Sequence, residues 1–297
     1  MRRISGVWLP IITPFVDGEV DHATYERLVD HYVRAGVSGI IPLGTTGESP
    51  TIDEPEADAL VARTREAVDG RVPVFVGVSG NDTRKVVRAV ERLGRQRVDG
   101  LLVTCPYYNR PSQDGLRAHF TRVADATDRP ILVYNIPYRT GVNMTNETLL
   151  ALAERPNVVG VKDSSGDLAQ SLALLRQRPD GFAVLTGEDA YFYTMLAHGG
   201  DGGILASAHL ETETFVAVHE RMIANDHHGA RALWSSLAEL VPLLFREPNP
   251  MPLKHCLWRD GLLASPECRL PLTRVSPALG QELERAARGL VAGGVRR

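Results

Sequence analysis

Eight short apolar segments recur along the 297-residue chain at intervals of 22 to 33 residues, and this spacing limits the possible folds more than any other feature. Each segment has the length of a buried parallel strand, and a stretch with helical periodicity follows it. The segments begin at Val7, Ile40, Val72, Leu101, Ile131, Val158, Phe182 and Ile204. A strand followed by a helix, repeated eight times, predicts an α/β protein with a (β/α)8 TIM barrel.

A doubly wound parallel sheet is the alternative architecture. It rarely keeps such even spacing, and it offers no reason for eight units. A Gly-x-Gly-x-x-Gly motif would be expected after the first strand of a dinucleotide-binding domain, and none follows the segment at Val7. The barrel is therefore the preferred prediction.

Three further helical patterns follow the eighth unit and predict a C-terminal helical appendix. They span Ala230–Phe245, Pro252–Leu263 and Pro277–Val291, and proline-rich joints separate them. Three helices without a recognisable catalytic motif are too few to form an independent catalytic domain. The predicted layout is a barrel over residues 1–225 and a helical extension packed on it over residues 226–297.

Composition excludes several classes of protein. The hydrophobic fraction of 43% supports a large core, and the net charge of −3, without a basic stripe, argues against nucleic acid as a partner. No apolar run has the length of a membrane span. The three cysteines, Cys105, Cys256 and Cys268, form neither a disulfide framework nor a zinc motif. We therefore expect a cytoplasmic protein that acts on small molecules.

Lys162 is the most informative single residue. It ends the apolar run Val158–Val161, where burial disfavours the charged ammonium and lowers its pKa. A lysine that is an amine at neutral pH attacks ketones and forms a Schiff base. A lysine that simply ends a strand and reaches solvent is the alternative interpretation.

The other strand ends carry groups that suit chemistry on a keto acid. The turn Gly44–Gly47 contains Thr45 and Thr46 and offers backbone N–H groups and hydroxyls to a carboxylate. Tyr134 could relay protons, or it could be a core aromatic residue. Arg139 could hold a carboxylate in a bidentate fork, or it could be a solvated loop residue. Glu48 is expected to complement the dipole of the next helix.

Five motifs together resemble the pyruvate-dependent class I aldolases of the dihydrodipicolinate synthase/N-acetylneuraminate lyase family. The resemblance covers about Gly6 to Leu279. The motifs are Gly44-Thr45-Thr46-Gly47-Glu48-Ser49, Pro106-Tyr107-Tyr108-Asn109-Arg110-Pro111, Tyr134-Asn135-Ile136-Pro137, Gly160-Val161-Lys162 and Asn249-Pro250-Met251-Pro252-Leu253-Lys254. Arg139 with Thr140-Gly141, and the Tyr107-Tyr108 pair, favour the synthase branch.

The resemblance implies a catalytic group. Lys162 would form the Schiff base with pyruvate, while Tyr134, Thr45 and Tyr108 would form a proton relay, Tyr108 coming from a neighbouring subunit. The pyruvyl enamine would then add to aspartate semialdehyde in lysine and diaminopimelate biosynthesis. No metal or organic cofactor is expected, because the imine itself is the electron sink. Members of the family are commonly homotetramers.

The resemblance also implies substrate-binding residues. Thr45 and Thr46 would hold the pyruvate carboxylate, and Arg139 would bind the carboxylate of aspartate semialdehyde. Gly187 and Ile204 would line the pocket through backbone groups. Two other functions share this group: a related lyase that releases pyruvate or another keto acid from a sugar acid or hydroxy-keto acid, and a barrel that binds a small molecule without turnover.

The chain departs from the synthase branch at three places. Asp163-Ser164-Ser165 follows the lysine, where Glu-Ala-Thr or Glu-Ala-Ser is usual, and His209 replaces an asparagine near the end of the eighth strand. Lysine-sensitive members carry a glutamate where this chain has Lys85. Because Lys85 would repel the amine of the effector, we predict weak or absent inhibition by L-lysine.

Overall fold

The computed structural model of the protein describes residues 4–292, with side chains through Ala287. The first three residues of the predicted barrel and the last five of the predicted extension lie outside the described residues. Within the described residues, eight strands run parallel in one sheet and helices follow them along the chain. The predicted (β/α)8 barrel with C-terminal helices is thereby confirmed.

The strand bounds agree with the apolar segments to within a few residues. The strands are β1 Gly6–Leu9, β2 Phe15–Val16, β3 Glu19–Val20, β4 Gly39–Ile40, β5 Phe75–Val78, β6 Gly100–Thr104, β7 Ile131–Asn135, β8 Val158–Asp163, β9 Ala183–Thr186 and β10 Gly202–Ile204. Strands β2 and β3 form a small antiparallel hairpin that the apolar pattern did not predict. Its turn residues Asp17 and Gly18 both have positive φ, so the Asp-Gly dipeptide was the signal for it.

The helices fill the intervals between the strands and form the C-terminal region. Their bounds are α1 His22–Arg34, α2 Glu54–Val68, α3 Thr83–Gly94, α4 Gln113–Asp125, α5 Pro137–Thr140, α6 Asn146–Ala153, α7 Leu168–Gln177, α8 Phe192–Ala197, α9 Thr212–Ile223, α10 His227–Ser236, α11 Leu240–Leu243, α12 Met251–Arg259 and α13 Pro277–Ala292. No helix within residues 4–292 is long and apolar enough to cross a membrane.

One compact unit consists mainly of Pro73–Ile204 and contains β5 to β10. Each of these strands pairs in parallel with the next, and the register places Tyr134, Lys162 and Leu185 side by side on β7, β8 and β9. Because the register aligns the carboxyl ends of neighbouring strands, the side chains at those ends meet at one edge of the sheet.

A second compact unit comprises Gly6–Val72 and the chain from Leu205 onward. Strands β1 and β4 pair in parallel within it, and α10 to α13 belong to it. An apolar cluster holds the last helices together and contains Leu240, Leu244, Cys256, Leu279 and Leu283.

The single helix predicted over Ala230–Phe245 is two helices, α10 and α11. Pro242 has no N–H to donate to the carbonyl of Ala238, so the helix is interrupted before α11, and the proline lies in the first turn of α11, where it is tolerated. Backbone bonds between residues three apart, from Ala238 to Ser235 and from Phe245 to Pro242, occur at the joint and at its end.

Candidate active site

Lys162 lies near the carboxyl end of β8 and is 6% exposed. Its ladder partner on β7 is Tyr134, which is 4% exposed. The ammonium nitrogen of Lys162 stands 4.1 Å from the centre of the Tyr134 ring. The strand extends to Asp163, one residue further than predicted. The two residues expected to share the proton chemistry are therefore neighbours.

Burial lowers the pKa of Lys162 to about 8. The negative charge of Asp189 opposes this effect, and the positive charge of Arg139 adds to it. A lysine with this pKa is partly an amine at neutral pH, and the amine is the nucleophilic form. The interpretation of Lys162 as a strand-end lysine that reaches solvent is wrong, because the side chain is buried.

Gly187 follows β9 and packs directly against the reactive lysine. Its N–H donates to the carbonyl oxygen of Asp163 at 2.7 Å. A methyl group on Gly187 would lie 2.4 Å from Cε of Lys162, so any side chain at this position would displace the lysine. Ile204 ends β10 and is 1% exposed. The backbone of Gly187 is thus placed next to Lys162.

Arg139 lies on the short helix α5, which begins two residues after β7. It is exposed, and its guanidinium carbon stands 5.4 Å from the centre of the Tyr138 ring. Thr140 fixes the end of this helix, because its hydroxyl donates to the carbonyl oxygen of Ile136 at 3.1 Å. The helix therefore holds an arginine at the same sheet edge as Lys162.

The loop after β6 is joined to the loop after β7. The N–H of Tyr108 donates to the carbonyl oxygen of Thr140 at 3.3 Å, and Nε of Arg110 donates to that of Gly141 at 2.8 Å. Tyr108 has a positive φ of 71° and is 86% exposed. The loop backbone is fixed, while the phenol side chain of Tyr108 projects into solvent.

Thr45 and Thr46 belong to the second unit, in a compact turn between β4 and α2. The N–H groups of Gly47 and Glu48 donate to the carbonyl oxygens of Gly44 and Thr45, each at 3.1 Å. The Thr46 hydroxyl is buried and accepts a hydrogen bond of 2.9 Å from the side-chain amide of Asn249. Since that bond occupies a lone pair of the Thr46 oxygen, the hydroxyl proton remains to donate to an anion.

Glu48 does not cap the following helix, so that expectation is wrong. It has a positive φ of 56°, and its carboxylate forms a buried ion pair of 2.5 Å with Lys254 on α12. Its second oxygen accepts a hydrogen bond of 3.0 Å from the N–H of Arg269. Lys254 also donates to the carbonyl oxygen of Glu267 at 2.8 Å. The ion pair therefore anchors the threonine turn from one end.

His209 has a structural role in the second unit. Its Nδ1–H donates to the carbonyl oxygen of Ala206 at 2.8 Å, and its Nε2 accepts the N–H of Ile12 at 3.3 Å. Burial lowers its pKa to about 4, and the ring packs edge-to-face on Tyr32 at 5.0 Å between centres. Both nitrogens are occupied, so neither is available to a substrate.

Three residues that lie near Lys162 or near the threonine turn had no role in the sequence prediction. Asp189 adjusts the pKa of Lys162, Asn249 orients Thr46 and Lys254 neutralises Glu48. Asn249 and Lys254 stand in a motif that supported the resemblance, which was the available signal. Asp189 follows Gly187-Glu188 at the end of a strand, a position typical of functional residues in this fold.

Known proteins are similar to this one over nearly the whole chain. A curated relative from Clostridium acetobutylicum, 4-hydroxy-tetrahydrodipicolinate synthase 2, is 48% identical over 283 residues, which are 95% of this chain and 99% of the relative. The dihydrodipicolinate synthase of Thermotoga maritima has a solved structure that superposes with a TM-score of 0.95 and 37% identity, covering 99% of this chain and 100% of that one.

A third similar protein is the chloride-inhibited dihydrodipicolinate synthase of Acinetobacter baumannii, solved in complex with pyruvate. It is 34% identical, with a TM-score of 0.93, and covers 98% of this chain and 99% of its own. The model of the dihydrodipicolinate synthetase family matches residues 3–289. With the buried lysine, its tyrosine neighbour and the barrel that places them, this match shows that the chain belongs to the dihydrodipicolinate synthetase family.

Proposed function

We propose that this protein is a 4-hydroxy-tetrahydrodipicolinate synthase of lysine and diaminopimelate biosynthesis, which condenses pyruvate with L-aspartate 4-semialdehyde. The observation that carries the proposal is the Lys162 amine, buried, with a pKa of about 8, and held 4.1 Å from the centre of the Tyr134 ring. An amine in this state can attack a keto group without a metal or an organic cofactor.

The lysine nitrogen adds to C2 of pyruvate, and the resulting carbinolamine loses water to give an imine. Loss of a proton from C3 gives the enamine, which forms a carbon–carbon bond to the aldehyde carbon of the second substrate. The amino group of that product then attacks the imine carbon, which closes the ring and releases Lys162. Each step moves a proton, and Tyr134, Thr45 and Tyr108 are the proposed relay.

The carboxylates of the two substrates are assigned to different groups. Thr45 and Thr46 bind the pyruvate carboxylate, which the donor orientation of the Thr46 hydroxyl supports. Arg139 binds the carboxylate of aspartate semialdehyde, and backbone groups of Gly187 and Ile204 line the pocket. Tyr108, 86% exposed in a single chain, would complete the relay from a neighbouring copy in a homotetramer.

Turnover with purified protein, pyruvate and aspartate semialdehyde tests the proposal, and Arg139→Ala and Arg139→Lys test the second substrate. Loss of a charge-assisted, bidentate contact should raise KM for aspartate semialdehyde about 10- to 100-fold in the alanine variant. The lysine variant keeps the charge but loses the fork geometry, so we expect an intermediate value.

Borohydride trapping of pyruvate on Lys162 should change much less than the use of aspartate semialdehyde, because Arg139 does not hold the first substrate. It acts on Lys162 only through its positive charge, which the lysine variant keeps. An equal loss of pyruvate trapping and of aspartate semialdehyde use would contradict the role of Arg139. Trapping without condensation in the wild-type protein would move the assignment to a lyase that acts on a sugar acid or hydroxy-keto acid. A lack of any adduct would exclude the Schiff-base mechanism.

A further inference from the structure

Ser164 points to the same face of the sheet as the reactive lysine. Successive side chains of a strand alternate between its two faces. Asp163 faces α7, where its carboxylate accepts a hydrogen bond of 2.5 Å from the Ser171 hydroxyl. The N–H of Ser164 continues the ladder to the carbonyl oxygen of Asn135 at 2.8 Å. Lys162 and Ser164 therefore both project from the face opposite to α7.

The Ser164 hydroxyl lies beside the Lys162 side chain. A methyl group on Gly187 would stand 2.3 Å from Oγ of Ser164 and 2.4 Å from Cε of Lys162. Both atoms thus lie next to the position that a side chain on Gly187 would occupy. The hydroxyl is a neighbour of the carbon that carries the nucleophilic nitrogen.

This hydroxyl is buried and has no hydrogen-bond partner in the part of the chain that the structure describes. Ser164 is 1% exposed, and its Oγ forms no hydrogen bond with the described residues. Nearly all buried polar groups in folded proteins are paired, because an unpaired one is destabilising. The unpaired hydroxyl beside a reactive amine is explained if its hydrogen-bond partner is an atom of the bound substrate.

We propose that the Ser164 hydroxyl donates a hydrogen bond to the oxygen on C2 of the keto acid while Lys162 forms the imine. The inference rests on the proposed function, since it requires a Schiff base at Lys162. Nζ adds its electron pair to C2, and the electrons of the carbonyl π bond move to the oxygen. The nitrogen then gives up one proton, which passes through the proposed Tyr134 relay to the oxygen. That oxygen then leaves as water when a second proton arrives, and the nitrogen electron pair forms the C=N bond.

Ser164 gains and loses no proton in this sequence. Its contribution is to stabilise the oxygen as negative charge develops on it, in a site from which water is largely excluded. The contact assists a step that Lys162 and Tyr134 already support, so its removal should slow imine formation without abolishing it.

The test is rapid-quench borohydride trapping with pyruvate alone, which separates imine formation from the second substrate. Ser164→Ala should slow adduct formation about 10-fold, the effect of one lost neutral hydrogen bond. Its thermal midpoint should be unchanged or raised, because the substitution removes an unpaired buried polar group. The opposite directions of rate and stability distinguish a ligand contact from a structural one.

Ser165→Ala is the matched control, since Ser165 lies one position further along. Its hydroxyl accepts the N–H of Asp167 at 3.4 Å and lies 3.5 Å from the Ser171 hydroxyl. This variant should form the adduct at the wild-type rate with an unchanged or lowered thermal midpoint. A wild-type trapping rate in Ser164→Ala would overturn the inference, and so would a lowered midpoint in that variant. If the wild-type protein forms no adduct at all, the proposed function itself fails.

Discussion

Two lysines of this chain are buried, and their surroundings assign them opposite roles. Lys254 is fully buried and sits 2.5 Å from the Glu48 carboxylate, so its charge is compensated even though burial lowers its pKa. The Lys162 nitrogen stands over the Tyr134 ring instead, and its pKa falls to about 8. The second arrangement leaves part of the lysine as an amine near neutral pH, without a carboxylate paired to it. In the sequence, both lysines stand next to apolar residues. The difference between a charge-paired lysine and a reactive one therefore depends on the groups that surround each in the fold.

The pKa of Lys162 predicts the pH dependence of pyruvate capture. The amine fraction grows as the pH rises through about 8, so kcat/KM for pyruvate should rise over that range and then level off. Asp189→Asn removes a negative charge that raises this pKa. The rise should therefore move to lower pH in the variant, which a pH profile of the trapping rate measures.

Asp180→Asn is the control for this experiment, because Asp180 is exposed and is not among the charges that act on Lys162. Its profile should coincide with that of the wild-type protein. A profile of Asp189→Asn that does not move, or that moves to higher pH, would contradict the electrostatic role of Asp189.

Helix α12 holds the threonine turn from a distant part of the chain. Asn249, just before the helix, donates to Thr46, and Lys254 within it neutralises Glu48. Thr13 adds a third tie, because its hydroxyl donates to the carbonyl oxygen of Gly47 at 2.8 Å. The C-terminal extension is therefore part of the support of the proposed carboxylate site.

Lys254→Met should destabilise the protein by about 3–5 kcal/mol, because it leaves the Glu48 carboxylate buried without a counter-charge. Chemical denaturation measures the change. Adding Glu48→Gln should recover part of the loss, since the second substitution removes the unpaired charge.

The exposed ion pair between Arg246 and Glu282 supplies the matched control. Its side chains are 53% and 33% exposed, and Arg246→Met should cost less than about 1 kcal/mol. Equal losses of stability in Arg246→Met and Lys254→Met would contradict the prediction that burial makes removal of one partner of the Glu48–Lys254 pair more costly.

Regulation by L-lysine is a prediction about the molecule as a whole. Lysine-sensitive relatives carry a histidine in the helix after the second barrel strand, where this chain reads Asp53-Glu54-Pro55-Glu56-Ala57. Asp53 caps α2 by accepting the N–H of Glu56 at 2.9 Å, and the Glu56 carboxylate pairs with Arg269 at 2.5 Å. Lys85 lies exposed on α3. The acidic groups near the start of α2 thus have structural partners within the second unit.

We expect L-lysine to inhibit with a constant weaker than about 1 mM, because Lys85 repels the amine of the effector. Initial rates at increasing L-lysine measure this constant. Lys85→Glu should strengthen inhibition, whereas Arg84→Glu, the same charge change one position earlier on α3, should have a smaller effect. Micromolar inhibition of the wild-type protein would show that the prediction is wrong.

The sequence alone determined the eight strand–helix units, the buried lysine at a strand end and the tyrosine on the preceding strand, because these features follow from local periodicity and from strand order. It did not reveal that His209 is fully bonded, that Glu48 pairs with Lys254 or that Asn249 orients Thr46. The last two contacts join residues about two hundred positions apart. Only the tertiary structure decides such contacts, since side-chain hydrogen bonds form between groups that folding brings together, whatever their separation along the chain.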